Sequence, residues 1–245
     1  MEKSHYISIV LPCLNEEETL ASSIQKAKKG IELSGVEGEV IVGDNGSVDH
    51  SAEIGRKQGA KVISVPQKGY GAALMAGFKV SKGDILVMGD ADDTYDFRET
   101  SLLYKKMLQG FEFVSGNRLR GNIDPKAMPW IHRYVGVPAL TMALNLFFRT
   151  GINDTHCGMR MFTKKGYEKM GLKSPGMEFA SEILMRAKQV GLSMAEVPIS
   201  YGQRHNKSYS KLNTFRDGFR HLKLILEFAF GLKNREYSDS TLQRA

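Results

Sequence analysis

Short β-branched runs alternate with longer amphipathic stretches through the first half of the chain, and this alternation limits the fold more than any other feature. Runs of that length, apolar throughout and punctuated by turn residues, suit strands buried on both faces; the stretches between them carry helical periodicity. Strands are expected at 6–11 (YISIVL), 39–43 (EVIVG), 60–65 (AKVISV), 84–88 (DILVM) and 112–115 (EFVS). Helices are expected between them at 16–34, 49–58, 70–81 and 98–109, with Ser47 or Asp49 suited to cap the second. The pattern is that of an α/β fold, a mostly parallel sheet flanked by helices, which is a nucleotide-binding architecture. In such open sheets a ligand lies beyond the carboxyl ends of the strands, so the polar residues just after each strand carry the functional information.

Four polar clusters converge on that edge: Asn15-Glu16 after the first strand, Asp44-Asn45-Gly46-Ser47 after the second, Gln67-Lys68-Gly69 after the third and Asp90-Ala91-Asp92 after the fourth. Asp90 and Asp92 flank one small residue directly after an apolar strand, so their carboxylates emerge together. Hard oxygen ligands of this kind favour Mg²⁺ or Mn²⁺, ions that keep positions open for diphosphate oxygens. The competing reading is that these acids cap the next helix. Asp44 with its tight turn suits a uridine or a guanosine edge alike, and a turn alone explains part of it. Lys68-Gly69-Tyr70-Gly71 offers a cation and flexible backbone near phosphates, but lacks the spacing and the Lys-Ser/Thr ending of a P-loop.

Composition narrows the partners less. The 245 residues and 42% hydrophobic content support one α/β domain, and the formal charge of +7 favours anionic partners without choosing among nucleotide, lipid surface and nucleic acid. Cys13 and Cys157 have no metal spacing, and a disulfide framework is not expected; a reducing cytoplasm fits best. The opening residues lack the form of a signal peptide, and no stretch reaches the roughly 20 apolar residues that span a bilayer. The second half turns basic and Pro/Gly-punctuated over 116–138, then shows an apolar helix at about 138–149, a polar turn DTHCGMR, a helix from 177 to 190, a strand near 194–201, a basic Ser- and Asn-rich loop and a final amphipathic helix.

Taken together, LPCLNEEETL, VGDNGSVDHS, KGYGAALMAGF and MGDADD resemble the second family of inverting glycosyltransferases, which share the GT-A (Rossmann-like) fold. The resemblance implies a metal-dependent glycosyltransferase using a nucleotide-sugar donor. Its donor-binding set would be Pro12, Asn15, Glu16, Asp44, Asn45, Lys68, Asp90, Ala91 and Asp92, with Asp90 and Asp92 holding the metal. The segments SGNR, WIHR, DTHCGMRMF, GMEFASEILMRA, EVPISY and the loop ending SKL look like dolichol-phosphate and polyprenyl-phosphate sugar synthases. That likeness implies a lipid-phosphate acceptor bound by Arg118 and Arg133, with a loop from Arg204 to Lys211 closing over the donor. It makes Asp92, Arg118, Arg133 and Lys211 the catalytic set.

Several residues carry two readings. Asp154 either orients Arg160 or another cation, or serves as base for a hydroxyl acceptor; the structural role is preferred. Glu178 matches the family motif and would orient a phosphate-binding arginine. Glu182, one helical turn on, reads as a surface carboxylate paired with nearby cations. His156 and Cys157 read as turn and packing residues. Asp93 and Thr94 stand where related mannose synthases carry an apolar residue and Gln, which leaves a third metal ligand unassigned.

The chain divides by sequence into a catalytic domain over 1–213, with a nucleotide-sugar half to about 120 and an acceptor half beyond, and a C-terminal amphipathic helix and tail over 214–245. Phe215, Phe219, Leu222, Leu226 and Phe230 form one stripe on that helix; core packing is its commoner use, and the headgroup layer of a membrane the other. The expected activity is transfer of a sugar to polyprenyl phosphate at the cytoplasmic membrane face, through peripheral contact or a separate membrane subunit. A hydroxyl acceptor on a glycan is the alternative. A non-catalytic nucleotide or nucleic-acid binder is a remote one, because carboxylates in the cleft repel a polyanion; no nucleic acid is expected.

Overall fold

The computed structural model describes residues 5–204, 214–233 and 237, the side chains of the final helix from 218 onward. Seven strands form one sheet: β1 (Tyr6–Cys13), β2 (Glu37–Asp44), β3 (Lys61–Ser64), β4 (Ile85–Met88), β5 (Phe113–Asn117), β6 (Arg160–Thr163) and β7 (Met194–Pro198), in the order β3-β2-β1-β4-β6-β5-β7. The first four run parallel, β6 lies antiparallel between β4 and β5, and β5 pairs in parallel with β7. The chain leaves β1 towards β2 and β3 on one side and returns to β4 on the other. That reversal opens a crevice at the carboxyl ends of β1 and β4.

β1 and β4 are apolar throughout because both faces of the sheet are covered. Ile7, Ile9, Leu11, Ile85 and Val87 point into one core with α1 (Leu20–Leu33), α2 (Ser51–Lys57) and α4 (Thr100–Met107). Val10, Leu86 and Met88 join the opposite core with α3 (Tyr70–Val80) and the helices of the second half. Those are α5 (Val137–Phe148), α6 (Lys164–Met170), α7 (Phe179–Gln189) and α8 (Thr214–Ala229).

Each strand foreseen in the sequence forms, with ends shifted by a few residues. β6 and α6 were not foreseen, since the DTHCGMR segment reads as a polar turn and β6 begins on a charged residue. Arg160 is nonetheless fully buried: its Nη2 donates to the Thr155 carbonyl at 2.7 Å and its Nη1 to the Ala180 carbonyl at 2.8 Å. α1 begins at Leu20 rather than near 16, because the Glu16 carbonyl accepts both the Thr19 and Leu20 amides and closes a turn first. The stripe expected on α8 does not enter the core. His221, Leu224, Ile225 and Phe228 do so instead, while Phe219 and Phe230 are 68% and 71% exposed. Phe215 lies outside the described side chains.

Candidate active site at the carboxyl edge of the sheet

The residues after β1, β2 and β3 hold one another. Asn15, at φ 54°, takes the Val48 amide on its Oδ1 at 2.8 Å and gives its own amide to Ser47 Oγ at 2.9 Å. The Glu16 amide donates to Ser51 Oγ, and Asp44 Oδ1 accepts the Ser47 amide at 3.2 Å. Asn45 binds the carbonyls of Val65 and Gln67 and accepts the Gly69 amide, so one side chain ties β2 to the segment after β3. Lys68 Nζ donates to the Asn45 carbonyl at 2.8 Å and stands against Gly46, where a Cβ would meet it at 2.2 Å. Pro12 pairs with Gly43 across the β1–β2 edge.

Asp90 and Asp92 follow β4 in a sharp turn pinned from below: Thr19 Oγ1 and Ser23 Oγ both donate to the Ala91 carbonyl, at 2.9 and 3.0 Å. Tyr70 Oη donates to Asp90 Oδ1 at 3.0 Å, and Asp90 Oδ2 accepts from no described residue. Burial, then the charge of Asp92, push the Asp90 carboxyl up to about 6, against the lowering effect of the Tyr70 hydrogen bond. Asp92 Oδ1 takes the Thr94 hydroxyl at 2.6 Å, and its Oδ2 forms an ion pair with Arg204. Neither aspartate caps a helix; Asp96 caps the 3₁₀ turn at Phe97–Glu99. Asp93 turns away to Ser22 and Lys26, Thr94 is committed to Asp92, and no three acids, histidines or cysteines cluster among the described residues.

Two carboxylates with one oxygen open, and the other facing an arginine charge, fit a hard divalent cation whose remaining positions belong to water and diphosphate.

Across from this pair lies Arg118, buried, just after β5. Its Nε and Nη2 form a two-pronged contact with both oxygens of Asp154 at 2.8 Å, and its guanidinium carbon sits 5.0 Å from the centre of the Tyr201 ring. Nη1 keeps no hydrogen-bond partner among the described residues. Burial alone would raise the Asp154 carboxyl, but the Arg118 charge and hydrogen bonds hold it below the usual carboxylate range. Asp154 thus orients Arg118 rather than Arg160. Glu196 fixes the turn in its place by accepting the amides of Asn153 and Asp154.

Other expected residues fall elsewhere. Arg133 sits in a π-helical turn, His132–Gly136, with its guanidinium over the Tyr134 ring at 5.4 Å, and among the described residues it bonds neither Arg118 nor the aspartates. Glu178 precedes α7 and accepts the Gly176 amide at 3.3 Å; its Oε2 is buried without a partner, so it touches no arginine among the described residues. Glu182 is not a surface carboxylate: it is fully buried and accepts the backbone amides of Lys173 and Ser174, each at 2.8 Å. His156 and Cys157 are buried packing residues, as read, and both cysteines are unpaired. Lys211 lies outside the described residues, and of the 204–211 loop only Arg204 is described.

Sequence reasoning overlooked Tyr70, Thr19 and Ser23. No sequence signal marked the hydroxyl of the first, and the glycines of the Gly-Tyr-Gly segment were assigned to phosphate approach. They serve packing: a Cβ on Gly69 would lie 2.1 Å from the Pro175 carbonyl, and on Gly71 2.1 Å from that of Ser174.

A family model for glycosyl transferase family 2 matches residues 8–171. A low-salt glycan biosynthesis hexosyltransferase of Haloferax volcanii is 42% identical over 226 residues, covering 92% of this chain and 54% of the relative. The chain therefore spans about half the length of that relative. A dolichyl-phosphate hexose transferase of the same organism is 29% identical over 213 residues, 86% of this chain and 89% of its own. The crystal structure of a glucosyl-3-phosphoglycerate synthase from Mycobacterium tuberculosis, in complex with Mn²⁺, uridine diphosphate and glucosyl-3-phosphoglycerate, aligns with a TM-score of 0.71 at 24% identity, over 93% of this chain and 80% of that one. The fold is that of a GT-A glycosyltransferase. More narrowly, the chain belongs to glycosyl transferase family 2.

Proposed function

We propose that this protein moves a hexose from a uridine- or guanosine-diphosphate sugar to a polyprenyl or dolichyl phosphate, with inversion at the anomeric carbon. The observation that carries the acceptor is the buried Arg118–Asp154 pair. A phosphate acceptor is already ionised at neutral pH, so it needs a cation to place it and no strong base. A hydroxyl acceptor needs a base, and Asp154, the carboxylate beside Arg118, has both oxygens engaged. The name of the dolichyl-phosphate hexose transferase relative supports the same reading.

In this mechanism Asp90 and Asp92 would hold Mg²⁺ or Mn²⁺, which would supply Lewis-acid stabilisation of the departing diphosphate. Asp44, Asn45 and the Asn15–Glu16 turn form the nucleoside wall, with Pro12 beneath and Lys68 at its edge. Arg118 presents Nη1 to the acceptor phosphate while Asp154 fixes its plane. Arg204, the cation beside Asp92, would serve the donor phosphates, and Arg133 and Lys211 would add positive charge for the acceptor phosphate. Supplying radiolabelled UDP- and GDP-hexoses with Mn²⁺ and polyprenyl phosphate tests this: label should pass into the organic phase. Label that stays in water but transfers to a soluble hydroxyl acceptor would replace the lipid-phosphate reading.

A further inference from the structure

α5 is apolar apart from Thr141 and Asn145, and the π turn before it adds Tyr134 and Val135, yet within α5 only Val137 and Leu144 are buried. A helix apolar on all sides belongs in a core or in a lipid environment. Trp130, Ile131, Tyr134, Val135, Met142 and Leu146 are 49–72% exposed along it. On α8 and the turn after it, Phe219, Leu222, Phe230 and Leu232 are 41–72% exposed. Eleven of the fifteen exposed large hydrophobic side chains of the described residues fall on these two segments. The segments are joined, since α5 packs on α8 and the Phe147 and Phe230 rings lie 6.4 Å apart. Single exposed hydrophobes are ordinary, whereas a joined face marks an interaction surface.

The charge around the face identifies its partner. Residues 125–153 contain no acid, and Lys126, Arg133 and Arg149 punctuate them. On α8, Arg220 and Lys223 are exposed beside the apolar side chains, and the described acid there, Glu227, lies 3.7 Å from Lys223. Aromatic and aliphatic side chains bordered by cations match a bilayer surface with anionic headgroups. No helix among the described residues is long and apolar enough to cross a membrane.

We infer that the joined outer face of the 130–148 helix and α8 is a monotopic docking platform for an anionic phospholipid surface. The inner edge of α5 supplies a functional link: Thr141 Oγ1 bonds Thr155 Oγ1 at 2.9 Å, one residue from the Asp154 that holds Arg118. Docking brings the acceptor arginine to the headgroup layer. The inference rests on the lipid-phosphate reading for its purpose, while its evidence lies in residues outside the site.

Flotation of the full chain with vesicles free of polyprenyl phosphate tests it. The wild type should float with vesicles of equal parts phosphatidylcholine and phosphatidylglycerol, and much less with phosphatidylcholine alone or in high salt. The double variant M142S/L146S alters two side chains each 72% exposed and so should fold. It should bind the anionic vesicles roughly tenfold or more weakly. Its turnover of a short, water-soluble prenyl phosphate should match the wild type. Failure of the wild type to float, or equal flotation of the variant, overturns the platform. So does a wild-type dimer that the double variant dissolves, which would make the face an interface between copies. Vesicle binding with no turnover of any prenyl phosphate would defeat the acceptor reading and leave the platform standing.

Discussion

The side of the cleft proposed for the donor is assembled from turns that follow four consecutive strands, all within the first 92 residues, and its side chains bind backbone amides and carbonyls of neighbouring turns. The side proposed for the acceptor is tied differently. Arg118 leaves β5, its partner Asp154 comes from a turn before β6, and Glu196 on β7 fixes that turn. One side is held by side chains bonded to backbone amides and carbonyls 20 to 33 residues away, and the other by a buried ion pair between two side chains. The contrast implies that damage on the donor side should impair chemistry while leaving the fold intact, whereas damage on the acceptor side should strike both.

The largest effect tests the donor side. Asp92→Asn should cut turnover by roughly a hundred- to a thousandfold and abolish saturable Mn²⁺ binding by electron paramagnetic resonance, with the melting temperature little changed. Loss of the fold instead would erase the contrast. On the acceptor side, Asp154→Asn leaves the Arg118 charge buried without its counter-ion and should lower unfolding free energy by about 3 kcal/mol or more in urea titration. Because the Asp154 carboxyl is held below its usual range when folded, the stability it confers is complete above that range and is lost as pH falls through the folded value. The gap between wild type and variant should therefore close in acid.

Two smaller effects sharpen the donor side. Asp90 must be ionised to bind a cation, so Mn²⁺ affinity should fall by up to about tenfold per unit as pH drops below about 6. A flat affinity from pH 7 to pH 5 would remove Asp90 from the ligand set. Tyr70→Phe deletes a hydrogen bond that favours the ionised carboxylate, so the midpoint of that pH dependence should rise, by roughly one unit or less. The same change should cost about 1 kcal/mol of stability.

The parallel half of the fold was legible because strands buried on both faces must be apolar along their whole length, and the residues that end them must be polar. Asp90, Asp92, Asp44 and Asn45 were found by that logic. Tyr70 was not, since a tyrosine between two glycines carries no sign that its hydroxyl will reach a carboxylate 20 residues on. β6 was missed because its first residue is an arginine, and a buried arginine shows in sequence only through partners that the fold supplies. Glu182 was assigned to the surface for the same reason: helical spacing places it on a face, but backbone amides from a neighbouring loop make that face an interior.

The α8 helix separates the two kinds of knowledge. Its amphipathic periodicity is a property of residue order, and the sequence alone determined that one side would be apolar, just as it determined the sheet, its polar edge and the aspartate pair. Which apolar residues would face inward was decided by docking. Against α5 and α7, His221, Leu224, Ile225 and Phe228 make the contact, and Phe219 and Phe230 are left outside with the apolar surface of α5. Periodicity depends on positions three and four residues apart, which the chain itself carries. Burial depends on what arrives from elsewhere, and so does the pairing of Arg118 with Asp154.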